Sequence, residues 1–210
     1  MIKEKIYPGE AAGKTRTDNN AAVWIPRAVH QNLLAGLQKY FGLLAFRPFQ
    51  EEVIVRTLQG VSQLAVMPTG SGKSLCYQLP AMMLPQPVIV LSPLIALMHD
   101  QVKSLTQKGI AAAALTSHNS WDVQQNILRQ FQQGRLRLLY LTPERLQQSA
   151  LIHAVKQRPP GLIVVDEAHC ISEWGHDFRP AYRRIHQFIR EMGRPPVLAL
   201  TATATARVRQ

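Results

Sequence analysis

Two short strings hold most of the chemistry in this chain. The first is Pro68-Thr69-Gly70-Ser71-Gly72-Lys73-Ser74, which follows the apolar run Gln63–Met67 and precedes a helical pattern. Gly70 and Gly72 allow the backbone to curl until successive N–H groups point at one centre, an arrangement that suits phosphate oxygens. The start of the next helix adds the positive end of its dipole. Lys73 would neutralise β- and γ-phosphates, and Ser74 would hold Mg²⁺. The general form of this loop begins with glycine, whereas Met67 stands there in this chain.

The second string is Asp166-Glu167-Ala168-His169, at the end of the apolar run Leu162–Val165. Ligands of open α/β sheets sit at the carboxyl ends of the strands. Two adjacent carboxylates there can divide the work. Asp166 would bind Mg²⁺, directly or through water, and Glu167 would orient and activate an attacking water. His169 reads either as a relay or as a polar residue satisfied within the fold. A further Gly13-Lys14-Thr15 is rejected as a phosphate loop. Gly9 lies one residue too close, and Met1–Tyr7 is too short and charged to be a buried strand.

These strings need a sheet to carry them. Residues 1–27 lack an apolar period until Val23-Trp24-Ile25 and read as a loose extension; organised sequence occupies 28–210. Strands are expected at Gln63–Met67, Val88–Leu91, Arg137–Leu141, Leu162–Val165 and Val197–Leu200. A weaker strand is expected at Ala111–Leu115, where the alanine content argues for helix. Most of the strand runs are apolar without alternation, as for strands buried on both faces. Helices are expected at Ala28–Tyr40, Phe49–Leu58, Lys73–Leu84, Leu94–Gln107, Ser120–Gln132, Glu144–Lys156 and Pro180–Met192. Such alternation specifies an α/β fold with a parallel sheet and helices on both faces.

Composition narrows the class. The chain has 210 residues, of which 46% are hydrophobic and 18% charged, enough for one domain with a full core. Lys and Arg number 24 against 13 Asp and Glu, a net charge of +11. That excess suits a polyanion such as nucleic acid, or is simply a solvated basic surface. Cys76 and Cys170 lack metal or disulfide spacing, so an intracellular, cytoplasmic location is expected. Met1–Glu10 has no apolar core for a signal peptide, and Pro87–Met98 is too short to span a bilayer.

With both strings placed, the chain resembles the RecQ family of superfamily 2 helicases over residues 28–210. The match runs through Phe46-Arg47-Pro48 with Gln50, MPTGSGKSLCYQLPA at 67–81, LSPLIALMHDQV at 91–102 and YLTPERL at 140–146. It continues with VVDEAHCISEWGHDFRPAY at 164–182 and LALTATA at 198–204. The resemblance implies the first RecA-like lobe of a phosphate-loop motor that uses ATP and Mg²⁺ to unwind DNA in the 3′-to-5′ direction, in repair and recombination. It assigns Arg47 and Gln50 to adenine recognition and Thr69 to Ser74 to the phosphate loop. Ser92, Pro93, Thr142 and Arg145 would hold the DNA backbone. Thr201 and Thr203 would couple hydrolysis to lobe movement, and His169 would relay between the two sites. Trp174 and Phe178 would stack on bases, and Arg179 would contact the strand.

Two positions depart from that pattern. Leu43 stands where the family commonly has an adenine-stacking aromatic, and Phe49 stands for a glycine before Gln50. Both bear on adenine affinity and leave the phosphate chemistry untouched. The coupling motif lies close to Gln210, so a second lobe is expected in cis or in trans. Such a lobe supplies an arginine finger worth about 10³–10⁵ in rate. These 210 residues are expected to bind Mg-ATP weakly and DNA modestly, and to hydrolyse and unwind inefficiently. The alternatives are a non-catalytic nucleotide- or DNA-binding remnant, and an unrelated phosphate-loop kinase or transporter ATPase.

Overall fold

Short apolar runs with no polar face demand burial on both sides, and they receive it. The computed structural model describes residues 24–171 and 183–202. Its strands are β1 (Gln63–Val66), β2 (Val88–Leu91), β3 (Ala112–Leu115), β4 (Leu138–Leu141), β5 (Leu162–Val165) and β6 (Val197–Thr201). They form one sheet in the order β1-β6-β5-β2-β4-β3. Every pairing is parallel, for example Val90 opposite Tyr140 on one side and Val164 on the other. All carboxyl ends therefore share one edge of the sheet.

The helices among the described residues are α1 (Arg27–Phe41), α2 (Gln50–Leu58), α3 (Leu75–Met83), α4 (Ile95–Gln107), α5 (Trp121–Gln132), α6 (Ser149–Gln157) and α7 (Arg183–Glu191). The two-residue period of the strands splits the core in two. Val88, Val90, Leu138, Tyr140, Leu162 and Val164 face α1 to α4. Ile89, Leu91, Leu139, Leu141, Ile163 and Val165 face α5 to α7. Side chains buried this fully stabilise by about 1.5–3 kcal/mol each. No described helix is long and apolar enough to cross a membrane.

Most expected elements appear within one or two residues of their predicted bounds. The alanine-rich run forms strand β3, an edge strand paired only with β4. Ala112 and Ala114 lie in the core beneath α4, so packing overrides alanine's helical preference. The helix expected over 144–156 is interrupted. A 3₁₀ turn occupies Pro143–Gln147, Gln148 is extended (ψ 117°), and α6 starts at Ser149. Arg145 and Leu146 are both buried in that 3₁₀ turn. Of the expected extension, residues 1–23 lie outside the described part, Ile25 packs on the core, and α1 begins at Arg27.

Candidate functional site

The glycine-rich loop leaves β1 at the sheet's carboxyl edge. Met67 N–H donates to Thr201 O at 3.0 Å, so ladder pairing with β6 continues one residue past β1. The Met67 side chain is buried, with Cys76 Sγ 3.9 Å from its sulfur. Burial pushes the Cys76 thiol up to about 12, so it is an inert packing group. Methionine is accommodated where the general loop has glycine because this position still belongs to the strand. The turn itself follows, closed by Ser71 N–H to Pro68 O at 3.2 Å. Gly70 and Gly72 take φ of 78° and 79°, the left-handed region where glycine is at ease.

Lys73 and Ser74 stand at the mouth of α3, where their carbonyls accept from Cys76 and Tyr77 N–H. Lys73 Nζ donates to Met67 O at 3.3 Å, folding the amine over the loop. Ser71 Oγ is buried without a hydrogen-bond partner, an expensive condition for a hydroxyl. A curled run of amides, a lysine and an orphaned hydroxyl fit a polyphosphate group, which would accept from all three.

Arg47 and Gln50 both reach this loop. Arg47 Nη1 donates to Gly70 O. Gln50, almost fully buried, donates through Nε2 to Ser71 O and Gly72 O at 3.1 Å each, and its Oε1 accepts from Arg47 N–H at 2.8 Å. The residues that the family resemblance assigns to adenine thus also brace the phosphate loop from behind. Between them Phe49 sits in the left-handed region at φ 68°, with its ring 70% exposed, and Leu43 is also exposed.

The acidic pair stands two strands away. β6 lies between β1 and β5, so Lys73 and Asp166 do not follow adjacent strands. They share the edge all the same. Asp166 is buried and its carboxyl is pushed up to about 6, first by loss of water and then by Glu167. The Glu167 N–H, Lys73 and His169 oppose the shift. The buried Tyr77 and Tyr140 rings, edge to face at 6.3 Å, also feel its charge. Asp166 N–H is anchored to Leu91 O at 2.8 Å, and Oδ1 accepts from Glu167 N–H at 3.0 Å. Glu167 adopts φ 50°, a strained conformation of the kind that clusters at working sites.

His169 connects this pair to β6. Its Nδ1 lies 3.2 Å from Glu167 Oε2 and 3.2 Å from Thr201 Oγ1. Nδ1 is therefore within hydrogen-bond reach of both oxygens. Ser74 and Asp166 are the groups that could hold a cation. Among the described residues no set of three His, Cys, Asp or Glu side chains gathers as a metal cluster. One carboxylate with one hydroxyl suits Mg²⁺, which takes few protein ligands and completes its shell with water and phosphate.

Farther along the edge, β2 is followed by Ser92 and Pro93, and β4 by Thr142 and Pro143. All four are buried, and Ser92 Oγ lacks a partner. Arg145 is also buried. Its guanidinium donates to Thr116 O and, at 3.1 Å, to Gln124 Oε1. Arg145 thus joins the turn after β4 to the loop after β3, with little of its side chain offered to solvent. Trp174, Phe178, Arg179 and Thr203 lie outside the described residues.

Residues 47–210 match the DEAD/DEAH box helicase family. The chain belongs to that family. Among curated relatives it is 48% identical over 170 residues to the probable ATP-dependent DNA helicase RecS of Bacillus subtilis, covering 80% of this chain and 34% of that protein. It is 43% identical over 196 residues to the ATP-dependent DNA helicase RecQ of Pasteurella multocida, covering 92% and 31%. The chain spans about a third of the length of these two relatives. Two solved structures share the fold. One is the DUF1998 helicase MrfA bound to DNA and AMPPNP, with TM-score 0.66, 21% identity and coverage of 89% and 28%. The other is a hypothetical ATP-dependent RNA helicase from Sulfolobus tokodaii, with TM-score 0.66, 20% identity and coverage of 85% and 52%. The RecQ resemblance and the RecA-like fold expected from sequence are both borne out.

Several residues around the candidate site escaped the sequence reading. Tyr77 and Tyr140, which feel the charge of Asp166, look like ordinary core residues at helix and strand spacing. The Thr116, Asn119 and Gln124 network around Arg145 gave no signal beyond a polar run before α5. Trp121 was readable, as a large aromatic directly after the capping residue Ser120.

Proposed function

We propose that this chain is the ATP-binding motor lobe of a RecQ-type DNA helicase. The observation that carries the reading is the convergence of Lys73 and Asp166 on one edge of the sheet, close enough for the amine to draw the carboxyl pKa down. The amides of Thr69 to Gly72 and the Lys73 amine would cradle the triphosphate of ATP. Ser74 and Asp166 would hold Mg²⁺, which when bound neutralises charge between the β- and γ-phosphates. Glu167 would orient the attacking water and accept its proton. Arg47 and Gln50 would set the adenine end while bracing the loop. Ser92, Pro93 and Thr142, themselves buried, would shape the floor of a single-stranded DNA track from beneath, with Trp174, Phe178 and Arg179 adding contacts and Thr201 and Thr203 coupling hydrolysis to movement. Arg145 would serve the track through the loop that it holds. Full hydrolysis and 3′-to-5′ unwinding would need a second lobe, in cis or in trans, to bring an arginine finger.

The test is Lys73→Ala, with Mg-ATP and single-stranded DNA binding measured separately. The expected result is loss of nucleotide binding with DNA affinity and its salt dependence kept. Retention of Mg-ATP affinity would refute the assigned phosphate site. Joint loss of both ligands would refute the separation of the two sites.

A further inference from the structure

The loop between β3 and α5 is built more firmly than an exposed connection requires. Thr116 is fully buried, and its N–H donates to Asn119 Oδ1 at 2.6 Å. Gln124 Nε2 donates to Asn119 O at 2.8 Å. Arg145 crosses from the turn after β4 to hold both Thr116 O and Gln124 Oε1. Removing a guanidinium from water is costly, and here that cost fixes the shape of five loop residues, 116–120. Immediately after them comes Trp121, the first residue of α5, with 71% of its surface exposed. Val123, two residues further on, is exposed as well.

An indole displayed on a rigid support is an unusual thing to leave in water. It offers a large flat apolar area and little conformational freedom to lose on binding. The only charge in the first turn of α5 is Asp122, which repels phosphate. This face therefore suits the flat face of a base rather than a nucleic-acid backbone. The net charge of +11 supplies long-range attraction to a polyanion. Place in the sheet gives the direction. The strands run β2-β4-β3, so a path from Ser92 at the end of β2 past Thr142 at the end of β4 arrives next at the end of β3.

We propose that Trp121 is a stacking platform for an unpaired base at the outer end of the single-strand track, with Arg145 as the positioning residue that holds the loop beneath it. The proposal rests on the DNA-track reading above and extends it past β4.

The experiment compares the 210-residue chain with Trp121→Ala and Trp121→Phe. The probes are a single-stranded thymidine oligonucleotide and an abasic oligonucleotide with the same number of phosphates. The wild-type chain should prefer the strand that carries bases. Trp121→Ala should weaken that strand by roughly five- to hundredfold and leave the abasic strand unchanged. Trp121→Phe should recover most of the loss. The slope of affinity against salt should stay constant, because no phosphate contact is removed. Equal binding of the thymidine strand by wild type and Trp121→Ala overturns the platform while leaving the DNA track standing. A loss on both strands alike also overturns it, by reporting a structural role. Failure of the wild-type chain to bind either strand overturns the DNA reading itself.

Discussion

His169 Nδ1 and Thr201 Oγ1 lie 3.2 Å apart, joining the acidic string after β5 to the end of β6. Thr201 is fully buried, and its carbonyl also takes Met67 N–H at the root of the phosphate loop. A single residue thus touches the histidine by its side chain and the root of the glycine-rich loop by its backbone. Thr201→Val keeps the shape and removes the hydroxyl. It should destabilise by about 1 kcal/mol. Mg-ATP affinity without DNA should change less than about threefold, while the factor by which single-stranded DNA raises that affinity, expected on the order of 5–150, should fall toward one. Titrations of nucleotide with and without DNA decide this. An undiminished factor in Thr201→Val would exclude this contact as the link.

The raised carboxyl of Asp166 makes a statement about stability and pH. Its ordinary value is 3.8 and its value in the fold about 6. Below the lower value the residue is protonated in both folded and unfolded chains and has no effect. Between the two, the unfolded chain gives up the proton and the folded chain keeps it, so stability falls as pH rises. Above about 6 both forms are ionised, and a penalty on the order of 2–3 kcal/mol is fully present. Asp166→Asn, which still accepts from the Glu167 N–H, should therefore be more stable than wild type at pH 7 and nearly equal to it at pH 4. Thermal unfolding across that range measures the gap. A gap independent of pH would show that burial does not raise this carboxyl.

Phe49 carries a different strain. A side chain at φ 68° costs about 1–2 kcal/mol relative to an ordinary conformation, and its exposed ring gains little from packing. Phe49→Gly should raise the stability of the chain by about 1 kcal/mol, or roughly 2–4 °C in Tm. Differential scanning calorimetry would detect it. A fall in Tm would mean that the ring makes contacts worth more than the strain.

The fold was legible where periodicity and spacing both spoke. Gln63–Met67 with the glycine turn, and Leu162–Val165 with the carboxylates, marked the two strands and their chemistry directly. What stayed hidden was mostly a matter of order. A parallel sheet of apolar strands permits many arrangements, and nothing local in Val197–Leu200 says that it inserts between β1 and β5. The same blindness applied to Arg145. The resemblance implies a contact with DNA at this residue, and only tertiary structure turns its side chain inward to Thr116. Gln50 likewise is a base-recognising amide by the resemblance, while its hold on Ser71 and Gly72 depends on how α2 packs beside the loop.

That hold distinguishes the two glycines of the phosphate loop. Both have positive φ, so alanine at either position incurs a backbone cost of about 1 kcal/mol. At Gly70 a new Cβ would meet nothing within 4 Å. At Gly72 it would lie 2.6 Å from Gln50 Nε2, too close to persist, and the amide would have to leave the Ser71 and Gly72 carbonyls. Gly72→Ala should accordingly destabilise by about 2–3 kcal/mol, against about 1 for Gly70→Ala. Gln50→Ala also loses those hydrogen bonds but opens the space that Cβ needs. The double variant Gln50→Ala with Gly72→Ala should therefore be less unstable than the sum of the singles by about 1 kcal/mol or more, while Gln50→Ala with Gly70→Ala should be additive. Chemical denaturation of the five variants completes the cycle. Additivity at both glycines would mean that Gln50 does not brace the loop.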